Sequence, residues 1–286
     1  MRQRCVCSHI ARAPRTVRWH WRSVMKAIHR RMVVTGAVAA GIAAVTQSRS
    51  VTDRNLADSL TCSINDLKGS AVATHVIAMP GVYYAEDNIF GTSGKCGIEI
   101  RADHVHIDLK GYSLLGVPGS LSGVIGAGVR DCVVTNGSVS HWGRCGIDLR
   151  ECSGCEVERV TASYNVESGM RLNASIVREC VCSCNGVSGV DVQSDSVLAG
   201  CTCIGNAECG MRIGRGCRVS DNHVAGGRCG YFVWGRDNLL VRNTARCANG
   251  FSICAGNAYG TFAQVAGVGA VSAAAGVEHP LANITF

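Results

Sequence analysis

A glycine followed by alternating apolar residues recurs along this chain at an almost constant interval. The copies are Gly97-Ile98-Glu99-Ile100, Gly146-Ile147-Asp148-Leu149, Gly169-Met170-Arg171-Leu172, Gly189-Val190-Asp191-Val192, Gly210-Met211-Arg212-Ile213, Gly230-Tyr231-Phe232-Val233 and Gly250-Phe251-Ser252-Ile253. From Gly146 the spacings are 23, 20, 21, 20 and 20 residues. Gly123-Val124-Ile125 supplies a copy between Gly97 and Gly146. Period-two alternation marks each copy as a short strand whose second and fourth residues point inward. A repeat this short cannot bury its apolar side alone. Coiling the chain so that each repeat stacks on the last solves this, with equivalent strands paired in parallel about 4.8 Å apart.

A second strand is expected in each repeat. Its anchors are Val160/Ala162, Cys180/Cys182, Cys201/Cys203, Asn222/Val224 and Asn243/Ala245, each pair facing one side. Asn165, Asn185 and Asn206 each stand four residues before a repeat glycine. That is a turn position, where asparagine tolerates left-handed backbone geometry and bonds to neighbouring backbone.

Residues 79–116, beginning MPGVYYAEDNIF, resemble the opening of secreted right-handed parallel β-helix repeat proteins of the pectin lyase-like superfamily, as do the later Asn-x-x-x-Gly turns. The resemblance spans about residues 60–265. It implies an all-β fold, a single-stranded right-handed parallel β-helix with about 20–23 residues per rung, over residues 79–265. Residues 51–78 would form a lead-in and N-terminal cap, and residues 266–286 a C-terminal cap or tail, because open end strands need cover.

The formal net charge of +7 is unevenly placed. Residues 1–50 hold ten Lys/Arg and no Asp or Glu, leaving 18 basic against 21 acidic residues in the rest. The body therefore carries no basic surplus of the kind nucleic acid requires. Residues 33–45, VVTGAVAAGIAAV, follow Lys26, His29, Arg30 and Arg31. That run is too short to span a membrane and has the layout of a secretory signal. The expectation is a secreted or cell-envelope protein with cleavage between Ala44 and Ser50, no transmembrane span in the mature chain, and a start at Met25.

Cys5 and Cys7 fall in that leader, leaving 16 of the 18 cysteines for the body. They follow the repeat, so the plainest reading is small buried side chains stacked in a narrow coil. Disulfides between neighbouring rungs, such as Cys209 with Cys229, are a second reading. Cys180, Cys182, Cys201 and Cys203 are a weak candidate metal site, as a two-by-two thiol grid.

The third residue of each glycine strand should face outward, giving Glu99, Asp148, Arg171, Asp191, Arg212, Phe232 and Ser252 in one column. Arg150 and Trp234 lie two residues further on in their rungs. Opposite charges on adjacent strands favour pairing. The same column suits a saccharide groove, because arginine recognises carboxylates bidentately and aromatics stack on sugar rings. Candidate catalytic residues are Asp148, Arg171, Asp191 and Arg212; candidate ligand-binding residues are Arg150, Phe232 and Trp234.

The resemblance implies lyases, hydrolases, epimerases, adhesins and non-enzymes alike. The N-T-D, G-H-G and R-I-K signatures of polygalacturonase-like hydrolases are not found in this sequence. The reading is therefore non-catalytic binding of a polysaccharide or cell-surface glycan, with no cofactor. The alternative is a polysaccharide lyase or glycoside hydrolase acting on acidic glycans, with Ca²⁺ as cofactor if a lyase.

Overall fold

The computed structural model describes residues 60–264 and 281–285. The expected leader with Cys5 and Cys7, residues 51–59 of the lead-in and residues 265–280 lie outside the described residues. Nine parallel strands stack in sequence order as one sheet: Ala73–Ile77, Cys96–Ile100, Val124–Gly126, Ile147–Leu149, Met170–Leu172, Ser188–Ser194, Cys209–Arg215, Cys229–Val233 and Asn249–Ile253. Every repeat glycine copy named above lies in this sheet, and Gly123 does supply the missing rung. Its register runs Ile98–Val124–Ile147–Met170–Val190–Met211–Tyr231–Phe251 on the inner side. The protein is therefore an all-β parallel solenoid of about nine turns, and parallel pairing is under way from Leu60, ahead of residue 79.

Each middle rung has three strands rather than the two read from the repeat. The third is three residues long, as in Ile176–Arg178, Val197–Ala199, Arg218–Ser220 and Leu239–Val241. Each has a single inward residue, Val177, Leu198, Val219 or Leu240, fully buried. One inward residue cannot display a period, so pattern reading passes over it. The remaining face carries Val139, Ala162, Cys182, Cys203, Val224 and Ala245 in register, all buried.

The corners follow one rule. A residue with left-handed backbone precedes a small inward residue that bonds along the stack. Tyr164 (φ 56°), Cys184 (φ 54°) and Gly205 (φ 63°) precede Asn165, Asn185 and Asn206. The left-handed residue is thus the one before the asparagine, not the asparagine itself. The asparagine has another task. Asn185 Oδ1 accepts from the Asn165 backbone N–H at 3.1 Å and its Nδ2 at 3.0 Å, and Asn185 Nδ2 donates to the Ala162 carbonyl at 3.0 Å. The side-chain amide fills the gap that a sharp bend leaves in the backbone ladder. Trp142 begins this ladder by donating its backbone N–H to Asn165 Oδ1. A second corner stacks Asn222, Asn243 and Asn283 above Cys201, and a third stacks Asn238 and Asn257 above Cys217.

The repeat glycine is required by close approach. A Cβ on Gly189 would stand 2.7 Å from the Gly210 carbonyl oxygen and 2.9 Å from Asn206 Nδ2. The glycine strand and the asparagine ladder therefore specify each other across the corner.

Candidate functional site

The outward column assembles in the register read from the repeat: Asp148–Arg171–Asp191–Arg212–Phe232–Ser252. Its exposure is not continuous. Asp191 is only 8% exposed, and the Asp148 side chain is nearly as covered, because long arginine side chains lie over the short acids. Glu167 lies 3.5 Å from both Arg144 and Arg171. Asp191 lies 3.8 Å from Arg171 and 3.7 Å from Arg212. Arg150, just past the strand Ile147–Leu149, pairs with Asp148 of the same rung at 3.0 Å. The lower half of the column is thus an ion-pair ladder whose acids are already committed to arginines.

Burial raises the Asp191 carboxyl above its ordinary 3.8, with Arg212, Arg171 and Arg150 opposing and Asp148 adding to the rise. The folded chain therefore holds this proton more tightly than the unfolded chain. The resulting stability is present below pH 3.8 and is lost as pH rises through the folded-state value. A carboxyl-NMR titration should place the Asp191 midpoint above 3.8, and Asp191→Asn should remove the corresponding slope from the stability–pH curve. A midpoint at or below the ordinary value would show that the arginines outweigh burial.

At the upper end of the column the ladder opens into a cleft of about 430 Å³ lined by Glu208, Cys209, Arg212, Arg228, Cys229, Phe232 and Asn249. Three rungs build it. Glu208 and Arg228 precede the glycine strands of their rungs, while Arg212 and Phe232 are register partners on them. The Arg212 side chain is 45% exposed and shares one acid, Asp191, with the ladder. Arg228 is exposed and pairs with no carboxylate among the described residues. The cleft thus presents two guanidinium groups, one carboxylate, an amide and the face or edge of an aromatic ring.

The structure brings Arg212 and Phe232 of the sequence candidates into this cleft. Asp148, Arg150, Arg171 and Asp191 lie below it in the ladder, and Trp234, 47% exposed, lies outside its lining. Glu208, Arg228 and Asn249 escaped the sequence reading. They sit one or two residues before the repeat glycine, ahead of the period-two segment that made the outward column visible. Cys180, Cys182, Cys201 and Cys203 are all buried, at 0–1% exposure. Each faces the thiol of the adjacent rung, and the Cys203 thiol together with burial pushes Cys182 well up. They stand as two adjacent-rung pairs, Cys180 with Cys201 and Cys182 with Cys203. Among the described residues no group of three or more metal-binding side chains converges on one point. The described cysteines are free thiols. No helix among the described residues is long and apolar enough to cross a membrane.

A family model described as a right handed beta helix region matches residues 122–263. No curated protein matches the chain. Among solved structures, a mutant tailspike protein of E. coli bacteriophage HK620 in complex with pentasaccharide is 14% identical with a TM-score of 0.50, over 74% of this chain and 48% of its own. The catalytic domain of Agl-KA is 13% identical with a TM-score of 0.40, over 79% of this chain and 53% of its own. A DFA-IIIase from Arthrobacter chlorophenolicus, solved without its lid, is 13% identical with a TM-score of 0.43, over 71% of this chain and 63% of its own. The chain spans about half the length of the tailspike and Agl-KA structures. At these identities the likeness is one of fold.

Proposed function

We propose that this right-handed parallel β-helix is a glycan-binding protein whose cleft at Arg212, Arg228 and Phe232 holds an acidic saccharide. The observation that carries the reading is the cleft itself. Two arginines with spare donors stand beside an aromatic ring at the place where the ion-pair ladder ends. A guanidinium offers paired donors that match a carboxylate, and an aromatic ring takes the apolar face of a sugar. The tailspike protein of similar fold is bound to a pentasaccharide in its own structure, which supports the ligand class. The acids of the ladder are engaged by arginines, which favours binding over hydrolysis by a carboxylate pair. We read residues 1–50 as a basic leader that carries an export signal, so that the ligand is met outside the cytoplasm.

Calorimetric titration of the full chain against acidic and neutral oligosaccharides tests this. Arg212→Ala and Arg228→Ala should each weaken acidic-saccharide binding by about tenfold, as loss of a charge-assisted hydrogen bond does. Phe232→Ala should weaken acidic and neutral ligands alike. Trp234→Ala, outside the cleft, should have the smaller effect. Shortening of the polysaccharide during the titration would replace this reading with a lyase or hydrolase. Unchanged affinity in all three cleft variants would remove the cleft from consideration.

A further inference from the structure

We propose that Cys209 and Cys229 form a reactive dithiol in the wall of the cleft, with a low-molecular-weight disulfide as co-reactant and a cross-rung disulfide as product. The two residues are direct register partners on the adjacent strands Cys209–Arg215 and Cys229–Val233. Neighbouring strands run about 4.8 Å apart. That separation lies within the range of about 4.4–6.8 Å that a disulfide spans between Cα atoms. Both side chains line the cleft, so a small molecule that enters it meets them.

The other described cysteines lack one or the other property. Cys180 with Cys201 and Cys182 with Cys203 are also adjacent-rung pairs, but they are sealed in the core at 0–1% exposure. Cys184 and Cys254 are exposed, but the neighbouring positions of their columns hold no thiol: Tyr164 and Gly205 flank Cys184, and Trp234 precedes Cys254. Cys247 is partly exposed and close to both thiols but is a register partner of neither, so among the described residues register pairing and access coincide at Cys209 and Cys229.

The surroundings suit thiolate chemistry. The Cys209 thiol lowers Cys229 by hydrogen bonding, against the opposing effect of burial. The Cys229 thiol and burial push Cys209 well up, with Glu208 adding to the rise and Arg212 opposing it, so Cys229 is the member of the pair that ionises. Cys229, lowered by its partner and in the cleft wall, is therefore the attacking thiol, because the thiolate is the nucleophile.

The reaction balances without any group beyond the named disulfide. The Cys229 thiolate attacks one sulfur of the small disulfide, which breaks its S–S bond and releases one small thiolate. That thiolate takes up a proton. Cys209, once deprotonated, attacks the Cys229 sulfur of the mixed disulfide and releases the second small thiol. Two protein thiols are oxidised, and one small disulfide is reduced to two thiols. The inference does not depend on which ligand the cleft holds.

The test uses the reduced full-length chain under native conditions with oxidised glutathione as probe. Free thiols are then alkylated at low pH and the peptides mapped by mass spectrometry. A Cys209–Cys229 cross-link is expected, with Cys184 and Cys254 carrying glutathione only as mixed disulfides. Cys209→Ser should stop the reaction at a persistent glutathione adduct on Cys229. Should that variant not fold, the cross-link map of the unaltered chain decides. A bridge from Cys229 to Cys247 instead would overturn the proposal. So would modification of Cys184 and Cys254 with Cys209 and Cys229 left as thiols, or equal cross-linking of the buried pairs.

Discussion

Gly214→Ala is expected to destabilise the protein by more than about 3 kcal/mol, since a rigid wall leaves overpacking no outlet. Gly214 lies in the strand Cys209–Arg215, next along the stack to Gln193. A Cβ placed on it would stand 1.7 Å from the Gln193 carbonyl oxygen and 2.6 Å from the carbonyl carbon. The obstacle is backbone held between rungs, not the flexible end of a side chain, so relief requires two rungs to part. Chemical denaturation gives the magnitude, provided the slope with denaturant is unchanged. Gly128→Ala is the control. Gly128 has a φ of 70° but open space where its Cβ would stand. It should therefore cost only the left-handed backbone penalty of about 1–2 kcal/mol. Equal losses in the two variants would show that the close approach at Gly214 is not what constrains the strand.

Asn185→Ala should cost about 2–6 kcal/mol, from two buried backbone groups left unsatisfied at about 1–3 kcal/mol each. The Asn165 backbone N–H would lose its acceptor, and the Ala162 carbonyl would lose its donor. Neither has water to turn to, because Asn165, Asn185 and Asn206 are 1–2% exposed. Amide hydrogen exchange at Asn165 should accelerate together with the global loss. Asn173→Ala is the comparison, because Asn173 also accepts across a rung, from Ser194 Oγ at 2.8 Å, but where solvent can replace the bond. It should cost under about 1 kcal/mol. If Asn185→Ala were as mild as Asn173→Ala, the ladder would be incidental to the coil.

Both predictions exploit the quasi-one-dimensional character of the fold. Each rung is stabilised by its neighbours and by little else, so damage at one rung weakens the interfaces above and below it. The cleft lies on the rungs of Cys209–Arg215, Cys229–Val233 and Asn249–Ile253, one to three rungs beyond Asn185. Destabilising variants there should therefore be checked for intact folding before any loss of ligand is read as chemistry.

The repeat glycine and its alternating followers determined the parallel stack and its register by themselves. Glycine at that position answers a close approach of the next rung's carbonyl oxygen, made in each turn from Gly97 to Gly230, and the alternation that follows it has only one inward side. The equivalence of Asp148, Arg171, Asp191, Arg212 and Phe232 was therefore legible before any coordinate, as was the burial of Cys180, Cys182, Cys201 and Cys203. Three things were not. The third strand of each rung carries one inward residue and so has no period to read. The left-handed residue at each corner varies freely, from Tyr164 to Cys184 to Gly205, because the turn selects a conformation rather than a side chain. The cleft was hidden for a different reason. Its walls include Glu208 and Arg228, which precede their strands, and Asn249, which begins its own, on three successive rungs. Only the stacking of those rungs brings them beside Arg212 and Phe232, and only the arginines folded over Asp148 and Asp191 close the face below them.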